Sequence, residues 1–116
     1  MIPARIKLSK QATDKLRYLK SKTGLTPNIL SRIAIMLAIR EGSNLSNAGI
    51  GDMNGGQELN DTTLFGEYIA VYDVLINQYI SENKLSLSVA DTIVAMIEIG
   101  IHKMGHIKQL EHLCEL

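Results

Sequence analysis

Apolar positions change their period along this chain, and the changes mark its elements. In Arg5-Ile-Lys-Leu8 polar and apolar residues alternate, the period of a short half-buried strand. Ser9 then stands where a helix N-cap belongs, and Ala12, Leu16 and Leu19 recur on one face of the segment from Lys10 to Lys22. Gly24 occupies the place of a left-handed C-terminal cap. Thr26 followed by Pro27 predicts a second N-cap with proline in the first turn, opening a helix that reaches Arg40.

From Gly42 to Asn60 the pattern dissolves. Five glycines and four asparagines in that stretch predict a loop rather than a packed element. It is not a phosphate-binding loop, because no Lys-Ser/Thr follows a glycine turn and no strand precedes it. Asp61 predicts the cap of a third helix over Thr62 to Ser81, with Leu64, Tyr68, Val71, Leu75 and Tyr79 at helical spacing. A fourth begins after Ser88, where Asp91 completes a capping-box pattern, and passes through Ile93, Ile97 and Ile101 towards Leu113. Gly100 and Gly105 argue against its continuity.

The expected fold is therefore mainly α: one four-helix domain with a short N-terminal strand and no internal repeat. It divides into a basic strand-helix-helix unit over residues 1–41, a loop over 42–60 and an acidic helical half over 61–116. Two helices are apolar nearly all round. In Ile29–Ile39 only Ser31 and Arg32 are clearly polar, and in Val89–Ile101 only Asp91, Thr92 and Glu98. Such helices are buried on most sides, which predicts self-association; the alternative is a tight monomer with some exposed apolar surface.

Composition narrows the class. Trp is absent and Phe occurs once in 116 residues, as in helical chains built on Leu, Ile, Ala and Met. There is no signal-peptide pattern at the start and no run of about 18 apolar residues for a membrane span, so the cytoplasm is the expected compartment and no membrane partner is expected. The lone Cys114 excludes an internal disulfide and a cysteine-based zinc cluster.

Net charge is zero, yet its distribution is lopsided. Residues 1–40 carry nine Lys and Arg against Asp14 alone, a net +8, and residues 41–116 carry three Lys against eleven Asp and Glu, a net −8. Segregation of this size points to an anionic partner for the first part. The plainer alternatives are attraction between the halves or a solvated charged face.

A strand followed by two helices joined at Gly-x-Thr resembles the ribbon-helix-helix plan, in which strands of two subunits pair into a ribbon that the major groove of B-DNA admits. With Ile6 and Leu8 facing the core, Arg5 and Lys7 turn the other way. On the first helix Lys10 and Arg17 lie opposite the apolar stripe, and Lys15, Lys20 and Lys22 flank it. The start of the second helix, at Thr26 and Asn28, offers free N–H groups and a positive dipole end. These nine residues are the candidate contacts. They are mostly Lys, a point charge suited to phosphate rather than the bidentate fork that reads guanine, so backbone gripping is expected over base readout.

Three stretches carry a family resemblance: Arg5-Ile-Lys-Leu-Ser-Lys10, Leu19-Lys-Ser-Lys-Thr-Gly-Leu-Thr-Pro-Asn-Ile-Leu-Ser-Arg-Ile-Ala34 and Glu58-Leu-Asn-Asp-Thr-Thr-Leu-Phe-Gly-Glu-Tyr68. They resemble DndE, the small protein of bacterial DNA phosphorothioation, and the match extends across most of residues 5–70. The resemblance implies a pathway in which sulfur replaces a non-bridging phosphate oxygen. It implies that desulfurase, iron–sulfur protein and ATPase are separate chains of the same system. It further implies binding to double-stranded DNA with a preference for nicks, by a homotetramer.

Other chemistry is weaker. Glu98, His102 and His106 fall on one helical face with His112 nearby, but a zincin needs Glu directly after the first His, where Lys103 stands. A fraying helix end is the better reading. Cys114, close to the chain end, has no thiolate-stabilising neighbours in sequence. No nucleophile-base grouping or carboxylate cluster stands out, so no catalysis, metal or cofactor is expected. The expected function is a non-catalytic DNA-binding component of phosphorothioation. The alternatives are a ribbon-helix-helix repressor or antitoxin, and a scaffold whose basic half docks an acidic protein.

Overall fold

The alternation at the N-terminus does form a strand, and its partner comes from the same chain. In a computed structural model that describes residues 2–42, 45, 56–105 and 108, β1 (Arg5–Lys7) pairs antiparallel with β2 (Glu58–Asn60). Arg5 lies opposite Asn60, Ile6 opposite Leu59 and Lys7 opposite Glu58. The ladder extends at both ends, where the Leu8 N–H donates to the Gln57 carbonyl at 2.9 Å and the Asp61 N–H to the Ala4 carbonyl at 3.0 Å. The ribbon is thus built within one chain, and residues 58–60 of the expected loop are strand. Gly56 permits it: a Cβ there would sit 1.7 Å from the Leu8 carbonyl oxygen.

Helix α1 (Lys10–Thr23) begins as its sequence dictates. The Ser9 hydroxyl accepts from the Ala12 N–H at 3.0 Å, and Gly24 at φ 77° ends the helix with its N–H on the Lys20 carbonyl. Ala12, Leu16 and Leu19 are buried as the stripe predicts. Helix α2 (Pro27–Arg40) opens at the Thr26 cap, whose side chain accepts from the Ile29 N–H at 3.3 Å.

The single third helix expected over Thr62 to Ser81 is broken. A short α3 (Asp61–Phe65) gives way to a 3-10 turn (Gly66–Tyr68) and then to α4 (Ile69–Glu82). The cause is Gly66, whose φ of +57° lies where residues with a Cβ are strained. The break shifts the helical frame. Leu64, Phe65, Ile76 and Tyr79 are buried, whereas Tyr68 and Val71 of the expected stripe are exposed.

Helix α5 (Val89–Lys103) starts at Ser88, whose hydroxyl accepts from the Asp91 N–H at 3.1 Å. It runs through the core, with Thr92 to Ile97 all buried, and packs chiefly against α2. Gly100 does not interrupt it. A Cβ there would meet the Ala34 carbonyl oxygen at 2.1 Å, so this glycine is the point at which the two helix backbones touch. Past Met104 and Gly105, the expected continuation towards Leu113 lies outside the described residues apart from Lys108, which is not helical. Mainly helical architecture with four principal helices and one small N-terminal ribbon is the outcome.

Candidate nucleic-acid interface

The outward face of α1 is assembled by its own periodicity. With the stripe Ala12, Leu16, Leu19 and Thr23 inside, a rotation of about 100° per residue sends Lys10 and Arg17 outward. Lys15 and Lys22 leave on one flank and Lys20 on the other. Lys10, Lys20 and Lys22 are exposed and Lys15 is half-buried. Among the described residues no carboxylate lies within 4.0 Å of these four ammonium groups or that of Lys7. The only acid on α1, Asp14, sits 3.7 Å from Arg17, so one of the predicted contacts is locally compensated.

The ribbon offers less than its sequence suggested. In this register Arg5 and Lys7 share a face with Glu58 and Asn60. The Arg5 guanidinium lies 4.0 Å from the Glu58 carboxylate, both well exposed. An exposed pair of this kind holds about 0–1 kcal/mol, too weak to immobilise Arg5, but the carboxylate offsets part of its charge. Sequence reasoning missed Glu58 because the residue stood at the edge of an expected loop.

At the start of α2 the first turn holds no acidic side chain, leaving the dipole end uncompensated. Thr26 is exposed and spends its oxygen on capping. Asn28 is half-buried, and its Oδ1 has no hydrogen-bond partner among the described residues. The side chain is therefore turned inward rather than displayed. Tyr18 was overlooked: it is exposed on α1 with the Lys22 ammonium 5.5 Å from its ring centre, a spacing readable as i, i+4.

A polar knot holds this face against the core. Ser9 is buried and donates to the Glu98 carboxylate of α5. The Thr13 hydroxyl donates to the Ser9 carbonyl at 2.8 Å and accepts from the Gln57 N–H at 2.8 Å. Helix α1, the ribbon and α5 thus share one network. It also accounts for Glu98, which serves as Ser9's acceptor while His102 points to solvent. Among the described residues no group of three His, Cys, Asp or Glu is placed to hold a metal ion; His106, His112 and Cys114 lie outside them. No helix among the described residues is long and apolar enough to cross a membrane.

At the opposite end of α2, Glu41 receives the Lys103 ammonium at 2.6 Å, with Arg40 at 3.4 Å. The Lys103 hydrogen bond holds the Glu41 carboxyl below its ordinary value. This ion pair ties the end of the basic unit directly to the end of α5.

These features define a class: a small helical protein with an intrachain ribbon and a lysine-lined first helix, built around a central fifth helix. The chain belongs to the DndE family, described as DNA sulphur modification protein DndE, whose profile matches residues 5–112. The match reaches well beyond the stretches that carry the resemblance in sequence. A crystal structure of DndE from Escherichia coli B7A, involved in DNA phosphorothioation modification, is similar at 27% identity and a TM-score of 0.75, covering 90% of this chain and 98% of that one. A glycine-to-lysine mutant of DndE involved in DNA phosphorothioation has a TM-score of 0.71 at 24% identity, covering 90% and 99%, and speaks for the fold alone. No curated protein matches the chain.

Proposed function

We propose that this chain is a non-catalytic DNA-binding component of a phosphorothioation system, gripping the duplex backbone through the outward face of α1. The observation that carries the reading is the set Lys10, Lys15, Lys20 and Lys22, on one helix and with no carboxylate within 4.0 Å among the described residues. Ammonium groups so placed neutralise phosphates without reading bases. Arg5, Lys7 and Arg17 contribute at the margins, where Glu58 and Asp14 partly offset them. The positive end of α2 behind Thr26 adds a further phosphate seat. Family membership supports the pathway; the preference for nicked duplex, the homotetramer and the other proteins of the system as partners belong to the proposal.

A repressor or antitoxin of the ribbon-helix-helix kind draws less support, since β1 takes its partner from its own chain and shares its outer face with Glu58. The test is retention of intact, nicked and single-stranded DNA of one sequence. Changing Lys15, Lys20 and Lys22 together to Glu is expected to abolish retention of nicked duplex while the oligomer keeps its mass. Unchanged binding would remove α1 from the interface, and no DNA affinity at low salt in the unaltered protein would favour the acidic-protein scaffold.

A further inference from the structure

Of the large apolar side chains exposed among the described residues, Met36, Tyr68, Val71 and Val74 stand on or beside α2 and α4, and Tyr18 stands apart from them on the lysine-lined α1, 44% exposed. A single exposed tyrosine is ordinary. The neighbours of this one are not. At about 100° per residue, Lys15, Tyr18 and Lys22 fall on one strip of the helix, three and four residues apart. That strip is about 10.5 Å long at 1.5 Å per residue, the length of roughly three base steps at 3.4 Å. The Lys22 ammonium lies over the ring, 5.5 Å from its centre. Asp14 borders the strip one turn back, and its carboxylate has the Arg17 guanidinium at 3.7 Å.

The ring brings what the lysines lack, a flat π-face. Ammonium groups neutralise phosphates and are indifferent to what lies between them. An aromatic face stacks on any base, whatever its sequence. In an intact duplex, however, each base face is covered by the next pair, and the grooves display edges alone. A ring carried on a backbone-gripping helix therefore gains a stacking partner only where the column of bases is interrupted. The Lys22 ammonium covers one face of the ring at most, and such a contact at an exposed site is weak enough to yield.

We propose that Tyr18 is the residue by which this face tells a broken strand from an intact one. Its ring stacks on the base pair left uncovered at a nick, while Lys15 and Lys22 hold phosphates on either side. The inference rests on the backbone-gripping reading above and adds to it a ligand of stated chemistry, the open π-face of a nucleobase. A nick fits better than a single strand. Proteins that hold single strands track them along a groove and stack successive bases on several aromatics, whereas α1 offers a convex face with one ring, Tyr18 being its only aromatic residue.

The experiment compares a covalently closed duplex circle, the same circle with one nick, and a single-stranded circle of the same sequence. Tyr18→Ala, at an exposed position where alanine favours the helix, should weaken binding to the nicked circle by roughly 5- to 150-fold. Affinity for the closed circle should stay unchanged. So should the salt slope, because a neutral ring releases no counterion. Tyr18→Phe should keep the difference between the two duplex circles. The chain has no Trp, so Tyr18→Trp supplies a single emitter, whose fluorescence should be quenched by the nicked circle and not by the closed one. Equal losses on both duplex circles, no loss on either, or quenching by both overturns the role of the ring and leaves the lysine grip standing. A loss confined to the single-stranded circle overturns the nick as its ligand. An unaltered protein that retains no DNA overturns the backbone reading, and this inference with it.

Discussion

The outward faces of α1 and α4 are both solvent-facing helix surfaces of 14-residue helices, and they are opposites. On α1 the outer positions are cations with one acid among them; on α4 they are Val71, Val74 and Gln78, with no charge until the last turn. Exposure alone therefore does not tell what a surface is for. A lysine-lined face can stay wet and suits a charged polymer, whereas an apolar face in water is unfinished. Segregation by halves in the sequence, +8 against −8, becomes segregation by element in space, with Glu58 carried back onto the basic ribbon and Glu41 onto Lys103.

The largest break in this comparison comes from the frame that keeps the two faces apart. A glycine-to-alanine change inside a helix ordinarily gains about 1 kcal/mol. At Gly100 the new Cβ would sit 2.1 Å from the Ala34 carbonyl oxygen, so the α2–α5 crossing must open. Overpacking costs about 1–3 kcal/mol, and the sign reverses. Net of that gain, Gly100→Ala should lower Tm by up to roughly 10 °C, and a rise in Tm would disprove the close approach. Next in size are the effects on DNA: reversing the α1 lysines removes binding and spares assembly, and removing the Tyr18 ring lowers affinity for the broken strand alone.

The smallest effect belongs to Glu41. Its folded carboxyl titrates below the ordinary value of 4.5, so its contribution to stability is present above that value and is lost as pH falls through the lower folded one. Glu41→Gln should lower Tm slightly at neutral pH, and the gap to the unaltered protein should close as pH drops below 4.5. A gap that persists in acid would point to packing instead of charge.

Much of this was legible in the residues, for a physical reason. Caps at Ser9, Gly24, Thr26 and Ser88 are local chemistry, as is the α1 stripe, and each appears where its sequence predicts. What escaped was tertiary. Three residues, Glu58-Leu-Asn60, hold one apolar position and no readable period, yet Gly56 lets them dock against β1. Gly100 reads as a helix breaker until Ala34 is seen against it. Gly66 sits inside a stretch of apolar residues at helical spacing, and only its positive φ shows that the frame restarts there, which is why Tyr68 and Val71 face water. For the candidate site, the cations were legible and their neutralisers were partly not: Asp14 is on the same helix, but Glu58 arrives from fifty residues away.

The lysine face is tested most directly by the salt dependence of its affinity for nicked duplex. Each lysine that neutralises a phosphate releases counterions and contributes about one unit to the slope of log affinity against log salt. With Lys15, Lys20 and Lys22 changed to Gln, the slope should flatten by about one unit for each lysine lost per protomer on the duplex. An unchanged slope, with affinity falling equally at every salt concentration, would contradict a backbone grip through α1.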